Sequence, residues 1–148
     1  MANYKKSSHT VHAIKLHFVW ITKYRYKVLV GPVADKAREL IRQVCQRNNV
    51  QIIKGHMEPD HVHLFVDIPP SLSASKLMQY IKGVSSRKLQ QEFSDLNKRY
   101  WGRHLWATGY FCASSGTVTD EMIKEYLERH KDEGPEDNFS IAGEPDFR

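Results

Sequence analysis

The segment His61-Val62-His63-Leu64-Phe65-Val66-Asp67-Ile68 alternates strictly, residue by residue, between two kinds of side chain. A period of two belongs to a β-strand with one face buried and the other open. Val62, Leu64, Val66 and Ile68 make an aliphatic face, and His61, His63, Phe65 and Asp67 fall on the opposite one. The chain is thereby committed to a sheet packed on one side. Two residues along a strand is a rise of about 6.7 Å, so the imidazoles of His61 and His63 project side by side and can converge on one ion. Imidazole is a common ligand for divalent metals. The plainer reading is a pair of solvated histidines on a polar face.

Other segments supply the rest of the sheet and its cover. Val11 to Thr22 is strand-like, with Ile14, Leu16, Phe18 and Trp20 on one side, and runs into the basic-aromatic stretch Lys23-Tyr24-Arg25-Tyr26-Lys27. Gly31-Pro32 opens a helix in which Val33, Ala37, Leu40, Ile41 and Val44 recur at helical spacing, and Asn48-Asn49 ends it. Val50 to His56 reads as a strand, and Glu58-Pro59-Asp60 has turn chemistry that pairs it with the His61 strand as a hairpin. After Pro69-Pro70, Ser71 or Ser73 caps a helix carrying Leu77, Ile81 and Val84, with Lys76, Lys82, Arg87 and Lys88 on its other positions. Gly109 to Ser114 is a short strand, and Thr117-x-x-Asp120 resembles a capping box before a last helix from Asp120 to about His130.

The resulting order, β-α-β-β-α-β-α, predicts an α+β sandwich of ferredoxin-like (RRM-like) type: an antiparallel sheet, two packed helices and a C-terminal helix. At 148 residues and 41% hydrophobic content the chain suits one domain. Its core spans about residues 11–131, and the charged 132–148 segment reads as a loosely ordered tail.

The net charge is +5, and the late acidic residues Asp132, Glu133, Glu136, Asp137, Glu144 and Asp146 leave the body more basic still. That balance suits a polyanionic partner. Cys45 and Cys112 offer neither a zinc knuckle nor a disulfide framework. No apolar leader or membrane-spanning run is present in the sequence, so a soluble, cytoplasmic protein is expected.

On the last helix Tyr126 and His130 stand four residues apart on one face, flanked by Ile123 and Leu127. Alone, this is an amphipathic helix with a packed tyrosine. Beside a metal-binding histidine pair, it reads as a tyrosine nucleophile whose helix brings a third ligand.

These features together resemble the single-tyrosine HUH transposases of the insertion-sequence 200/605 family. The resemblance rests on Asp60-His61-Val62-His63-Leu64, on Leu16-His17-Phe18-Val19-Trp20 leading into Lys23-Tyr24-Arg25, on Leu105-Trp106 with Gly109-Tyr110-Phe111, and on Tyr126-Leu127-Glu128. It implies cleavage and rejoining of single-stranded DNA hairpins at element ends through a 5′-phosphotyrosine at Tyr126. It also implies a divalent metal, Mg²⁺ or Mn²⁺, on His61, His63 and His130, and a homodimer with active sites built in trans. Family members commonly carry Gln where this chain has His130, and an all-nitrogen set favours softer ions than Mg²⁺.

Lys23, Arg25, Lys27, Lys82, Arg87 and Lys88 are candidate DNA-phosphate contacts, with Tyr24, Tyr26, Trp101 and Trp106 as stacking candidates. No GxxxxGK[ST] motif occurs, which fits strand joining without ATP. The competing expectations are another HUH endonuclease, of replication-initiator or relaxase type, and a non-catalytic ferredoxin-like nucleic-acid-binding module.

Overall fold

The computed structural model of the chain describes residues 5–6, 11–114 and 120–129. A two-stranded ribbon, β1 (Lys5–Lys6) with β2 (Val11–His12), precedes a four-stranded sheet. The sheet contains β3 (Lys15–Ile21), β4 (Gln51–Glu58), β5 (His61–Asp67) and β6 (Phe111–Ser114), in the order β4-β5-β3-β6 with every neighbour antiparallel. The helices are α1 (Gly31–Arg47), α2 (Ala74–Glu92), α3 (Ser94–Tyr100) and α4 (Asp120–Arg129). The two crossovers, α1 and α2, complete the ferredoxin-like α+β arrangement that the sequence predicts.

The alternation of β5 places its aliphatic residues where expected: Val62, Leu64, Val66 and Ile68 are buried. They meet Phe18 and Trp20 of β3 and the apolar stripes of α1 (Leu40, Ile41, Val44) and α2 (Leu77, Ile81, Leu89) in one core. Ser73 caps α2: its Oγ accepts from the Lys76 N–H at 3.1 Å. At the other end of α1, Asn49 takes a left-handed backbone (φ 57°) that stops the helix.

Three elements differ from expectation. The 11–22 strand is broken, its first residues pairing with β1 and the sheet strand starting at Lys15. The last strand starts at Phe111 rather than Gly109. The sequence reading gave no helix at α3, which is only seven residues long; its apolar signal is just Leu96 and Tyr100, four apart and both buried. The 132–148 tail lies outside the described residues.

Trp106, a stacking candidate, belongs to the core instead, 4% exposed and packed edge-on to Trp20 with ring centroids 5.9 Å apart. Its indole N–H donates to Ser85 Oγ at 2.8 Å, and the Ser85 hydroxyl donates to the Ile81 carbonyl at 2.6 Å. Ser85→Ala strands a buried donor and is expected to lower stability by about 1–3 kcal/mol, measured as a lower urea midpoint at unchanged m.

Candidate active site

The open face of the sheet is read off the strand register. His63 stands opposite Val19 on β3 and His56 on β4, while His61 stands opposite Ile21 and Glu58. Directly paired residues point to the same face, so His17, His56, His61 and His63 share it. The rings of His61 and His63 are 4.9 Å apart, with His56 at 5.8 Å and His17 at 6.2 Å from His63.

A neighbouring segment fixes His61. Beyond β3, Thr22 donates its N–H to the Asp60 carbonyl at 3.0 Å and its hydroxyl to the Tyr26 carbonyl at 2.7 Å, and the Leu29 N–H reaches the Pro59 carbonyl at 2.9 Å. These bonds hold residues 22–29 against the β4–β5 turn and bring Arg25 to Asp60. The Arg25 guanidinium donates from Nε and Nη2 to Asp60 Oδ2, at 2.9 and 2.8 Å. Asp60 Oδ1 lies 2.8 Å from His61 Nδ1.

Burial alone would raise the Asp60 pKa. The His61 hydrogen bond and the charges of Arg25 and His61 outweigh it and hold the carboxyl below its ordinary value. An ionised carboxylate only accepts, so Nδ1 of His61 carries the proton and, in the neutral ring, Nε2 keeps a free lone pair. Carboxylate-oriented histidine is the usual outer support of a metal ligand. His63 is pushed down to about 4, first by burial, then by the charges of His61, His56 and His17. Burial lowers His17 as well. His63 is therefore neutral at physiological pH, the state a metal ligand needs.

The donor chemistry of these two imidazoles fits a divalent ion. Among the described residues no group of three His, Cys, Asp or Glu side chains is arranged to hold one. The third predicted donor, His130, lies outside the described residues.

Helix α4 lies on this same face. The Tyr126 ring is 6.0 Å from that of Phe111, which pairs with Val19 and so points to the histidine side. The Arg25 Nη1 donates to the Leu127 carbonyl at 3.0 Å. Tyr126 is half-buried and Ile123 buried. Val19 and Ile21, on the face away from the main core, are 0% and 3% exposed, which is explained by a helix on that side.

The predicted phosphate contacts divide. Lys23, Lys82 and Arg87 line a cleft of about 860 Å³, joined there by Arg103 and His104, which the sequence reading did not single out. Lys82 Nζ donates to the Ala107 and Gly109 carbonyls at 2.8 and 2.6 Å, and burial pulls its pKa down to about 8. Arg25 is turned inward to Asp60 and Leu127. Lys27 is exposed and Lys88 half-buried, and neither lines the cleft.

Of the remaining stacking candidates, Tyr26 is packed between Tyr24, Tyr100 and the Arg99 guanidinium. Trp101 is 85% exposed and Tyr24 38%. Asp60 entered the sequence reading only as a turn residue and part of a motif; its position immediately before His61 was the available signal.

Fold and site together define an α+β domain with a histidine-pair strand and a tyrosine-bearing helix on one face of its sheet. The family model described as "Transposase IS200 like" matches residues 10–130. The ISDra2 transposase TnpA of Deinococcus radiodurans is 31% identical over 128 residues, covering 86% of this chain and 91% of that protein. The transposase for insertion sequence element IS200 of Salmonella typhimurium is 34% identical over 134 residues, 88% of each.

Among solved structures, a Deinococcus radiodurans R1 protein assigned as a transposase superposes with a TM-score of 0.79 at 30% identity, covering 86% of this chain and 98% of that one. A REP-associated tyrosine transposase, solved bound to a REP hairpin, shares the fold at a TM-score of 0.52 and 15% identity, covering 87% and 68%. The chain belongs to the IS200-like transposase family. Among the described residues no helix is long and apolar enough to cross a membrane.

Because the His63 pKa falls to about 4 in the folded chain from an ordinary 6.5, the unfolded chain binds the extra proton between those values. Stability is then fully present above about pH 6.5 and is lost as pH falls toward about 4. His63→Gln is expected to flatten that part of the profile, followed by urea denaturation at stepped pH.

Proposed function

We propose that this chain is a DNA transposase that binds hairpin single-stranded DNA at element ends and cuts and rejoins strands through a 5′-phosphotyrosine on Tyr126. His61, His63 and His130 would hold Mg²⁺ or Mn²⁺. The observation that carries this reading is the placement of α4, with Tyr126, on the sheet face that bears the carboxylate-supported His61 and the neutral His63. Family membership along nearly the whole chain supports transposition over the other HUH nickases and over a non-catalytic binding module.

In the proposed step Tyr126 Oη attacks the phosphorus of a backbone diester. The O–P bond to tyrosine forms as the P–O3′ bond breaks, and the phenolic proton balances the released 3′-hydroxyl. The reverse step, with another strand's 3′-hydroxyl attacking, joins DNA with the diester energy conserved. An ordinary phenol has a pKa near 10 (roughly), so Tyr126 needs a proton acceptor and a phosphate held in line. A bound divalent ion would supply Lewis acidity at a non-bridging oxygen. The chain's own part is to orient: Asp60 fixes the ring of His61, and α4 carries the phenol to the same face.

The basic cleft supplies a place for phosphates. Lys23, Lys82, Arg87 and Arg103 converge there, and cations in such a groove release counterions when DNA binds. Exposed Trp101 follows Tyr100 at the end of α3, next to Gly102 of the cleft wall, where an unstacked base can lie against it. The REP-associated relative was solved with a hairpin, and hairpin DNA is proposed as the ligand here too. The protein would act in the cytoplasm on its element's DNA.

A homodimer with trans sites belongs to the same proposal. Within one chain α4 is seated by Arg25 and Phe111; exchange of α4 between two chains would remake the same contacts across the interface. The Ser114-Ser115-Gly116-Thr117 link, which the sequence offers as a hinge for such an exchange, lies outside the described residues beyond Ser114.

Two measurements test the proposal. With hairpin oligonucleotides and Mn²⁺, Tyr126→Phe is expected to bind DNA as the wild type does yet form no SDS-resistant adduct; adduct in that variant would move the nucleophile to another tyrosine. Mixing inactive Tyr126→Phe with inactive His61→Ala is expected to recover cleavage in heterodimers. Continued inactivity, with subunit exchange verified by mass, places each site within one chain.

A further inference from the structure

Between β3 and α1, two consecutive residues with side chains take left-handed backbone: Tyr24 at φ 61° and Arg25 at φ 56°. This region is disfavoured for any residue with a Cβ, and it persists where surrounding bonds over-determine it. At Arg25 the backbone N–H donates to the Thr22 carbonyl at 3.0 Å, and the side-chain bonds come from one planar group. Its guanidinium holds Asp60 Oδ2 from two nitrogens, at 2.9 and 2.8 Å, and the Leu127 carbonyl from the third, at 3.0 Å. A fork of fixed geometry serves two partners at once, which a lysine ammonium on a flexible stem does not reproduce.

The second Asp60 oxygen lies 2.8 Å from His61 Nδ1. An unbroken chain of bonds therefore runs from the helix of Tyr126, through Arg25 and Asp60, to the histidine strand. The side chains of Arg25 and Asp60 are only 22% and 15% exposed, so salt screens their pairing less than it screens a surface pair.

We propose that Arg25 is a positioning residue that seats the tyrosine helix on the sheet and couples that seating to the set of His61. Docked α4 completes the guanidinium's contacts, which holds Asp60, which holds the His61 ring with Nε2 outward. An undocked α4 leaves Arg25 and Asp60 freer and the ring less fixed. The coupling rests on the proposed roles of His61 and Tyr126; the seating of α4 by Arg25 does not. By linkage, whatever factor docking adds to ion affinity, the ion adds to docking.

The test is amide hydrogen exchange of the full chain, with and without Mn²⁺, alongside calorimetric Mn²⁺ titration in the absence of DNA. In the wild type, Mn²⁺ is expected to slow exchange in α4. In Arg25→Gln, α4 is expected to exchange about tenfold faster without metal, a typical size for such coupling, while β3 and β5 keep wild-type rates. Mn²⁺ should then slow α4 less than it does in the wild type, where His130 on the same helix is a proposed ligand too, and ion affinity should fall by the factor by which that slowing shrinks. Arg25→Lys, which keeps the charge but not the fork, is expected to behave as Arg25→Gln does.

Wild-type exchange of α4 in Arg25→Gln would overturn the seating. Mn²⁺ slowing of α4 undiminished from the wild type in that variant would overturn the coupling. A purely structural loss would speed β3 and β5 as well; Asp60→Asn then carries the same measurement. Absence of Mn²⁺ binding to the wild type would remove the metal reading and the coupling together, and metal-free exchange would still decide the seating.

Discussion

The seven-pair antiparallel register between β3 and β5, from Lys15 opposite Asp67 to Ile21 opposite His61, is the constraint on which the site depends. Side chains alternate with a period of two, so a slip of one residue would turn His61 and His63 into the core and Leu64 and Val66 out of it. The core forbids the slip. Phe18 and Trp20 pack with Val62, Leu64 and Val66 on the inner face, and each inner contact fixes the outer residue beside it. The histidine pair thus inherits its placement from a core on the opposite face of the sheet.

On the outer face the electrostatics are arranged around lone pairs. His63, crowded by three other imidazoles and partly buried, is held in its neutral form. Asp60 is ionised and already balanced by Arg25, so its influence on His61 is orientation as well as charge. Lys82, the depressed lysine, sits in the cleft with its ammonium on two backbone carbonyls. Cationic side chains gather in the cleft and the neutral His63 stands on the outer face, a division that suits the proposed grip on phosphates in one place and on a cation in another.

Much of this was legible in the sequence because the signals are local. The alternation of residues 61–68, the helical spacing of Leu40, Ile41 and Val44, and the Ser73 cap each act within a few residues, and the sheet follows from them. What stayed hidden is set by tertiary contact. Arg25 reads as one more basic residue in a Lys-Tyr-Arg-Tyr-Lys stretch, and only the folding of residues 22–29 onto the β4–β5 turn makes it an internal ligand for Asp60 and Leu127. Trp106 could equally have been a surface ring; the Ser85 hydroxyl that satisfies its N–H is 21 residues away. Val19 and Ile21 carried a clue, since two aliphatic residues on the supposedly open face require a cover, and α4 lies there.

Lys23 lines the cleft, and Arg25, two positions on, reaches the His61 support. The cleft also borrows its wall from α2, on the helical side of the sheet, whereas the histidines look out from the opposite side. In the proposed function, a DNA strand reaching from one to the other would fold around the rim of the sheet. Duplex DNA, with a persistence length of about 150 base pairs, resists curvature on that scale. An unpaired strand swivels at every nucleotide and rounds the rim readily. The stiffness of the polymer, rather than any contact with its bases, would then sort single strands from double ones at the mouth of this site.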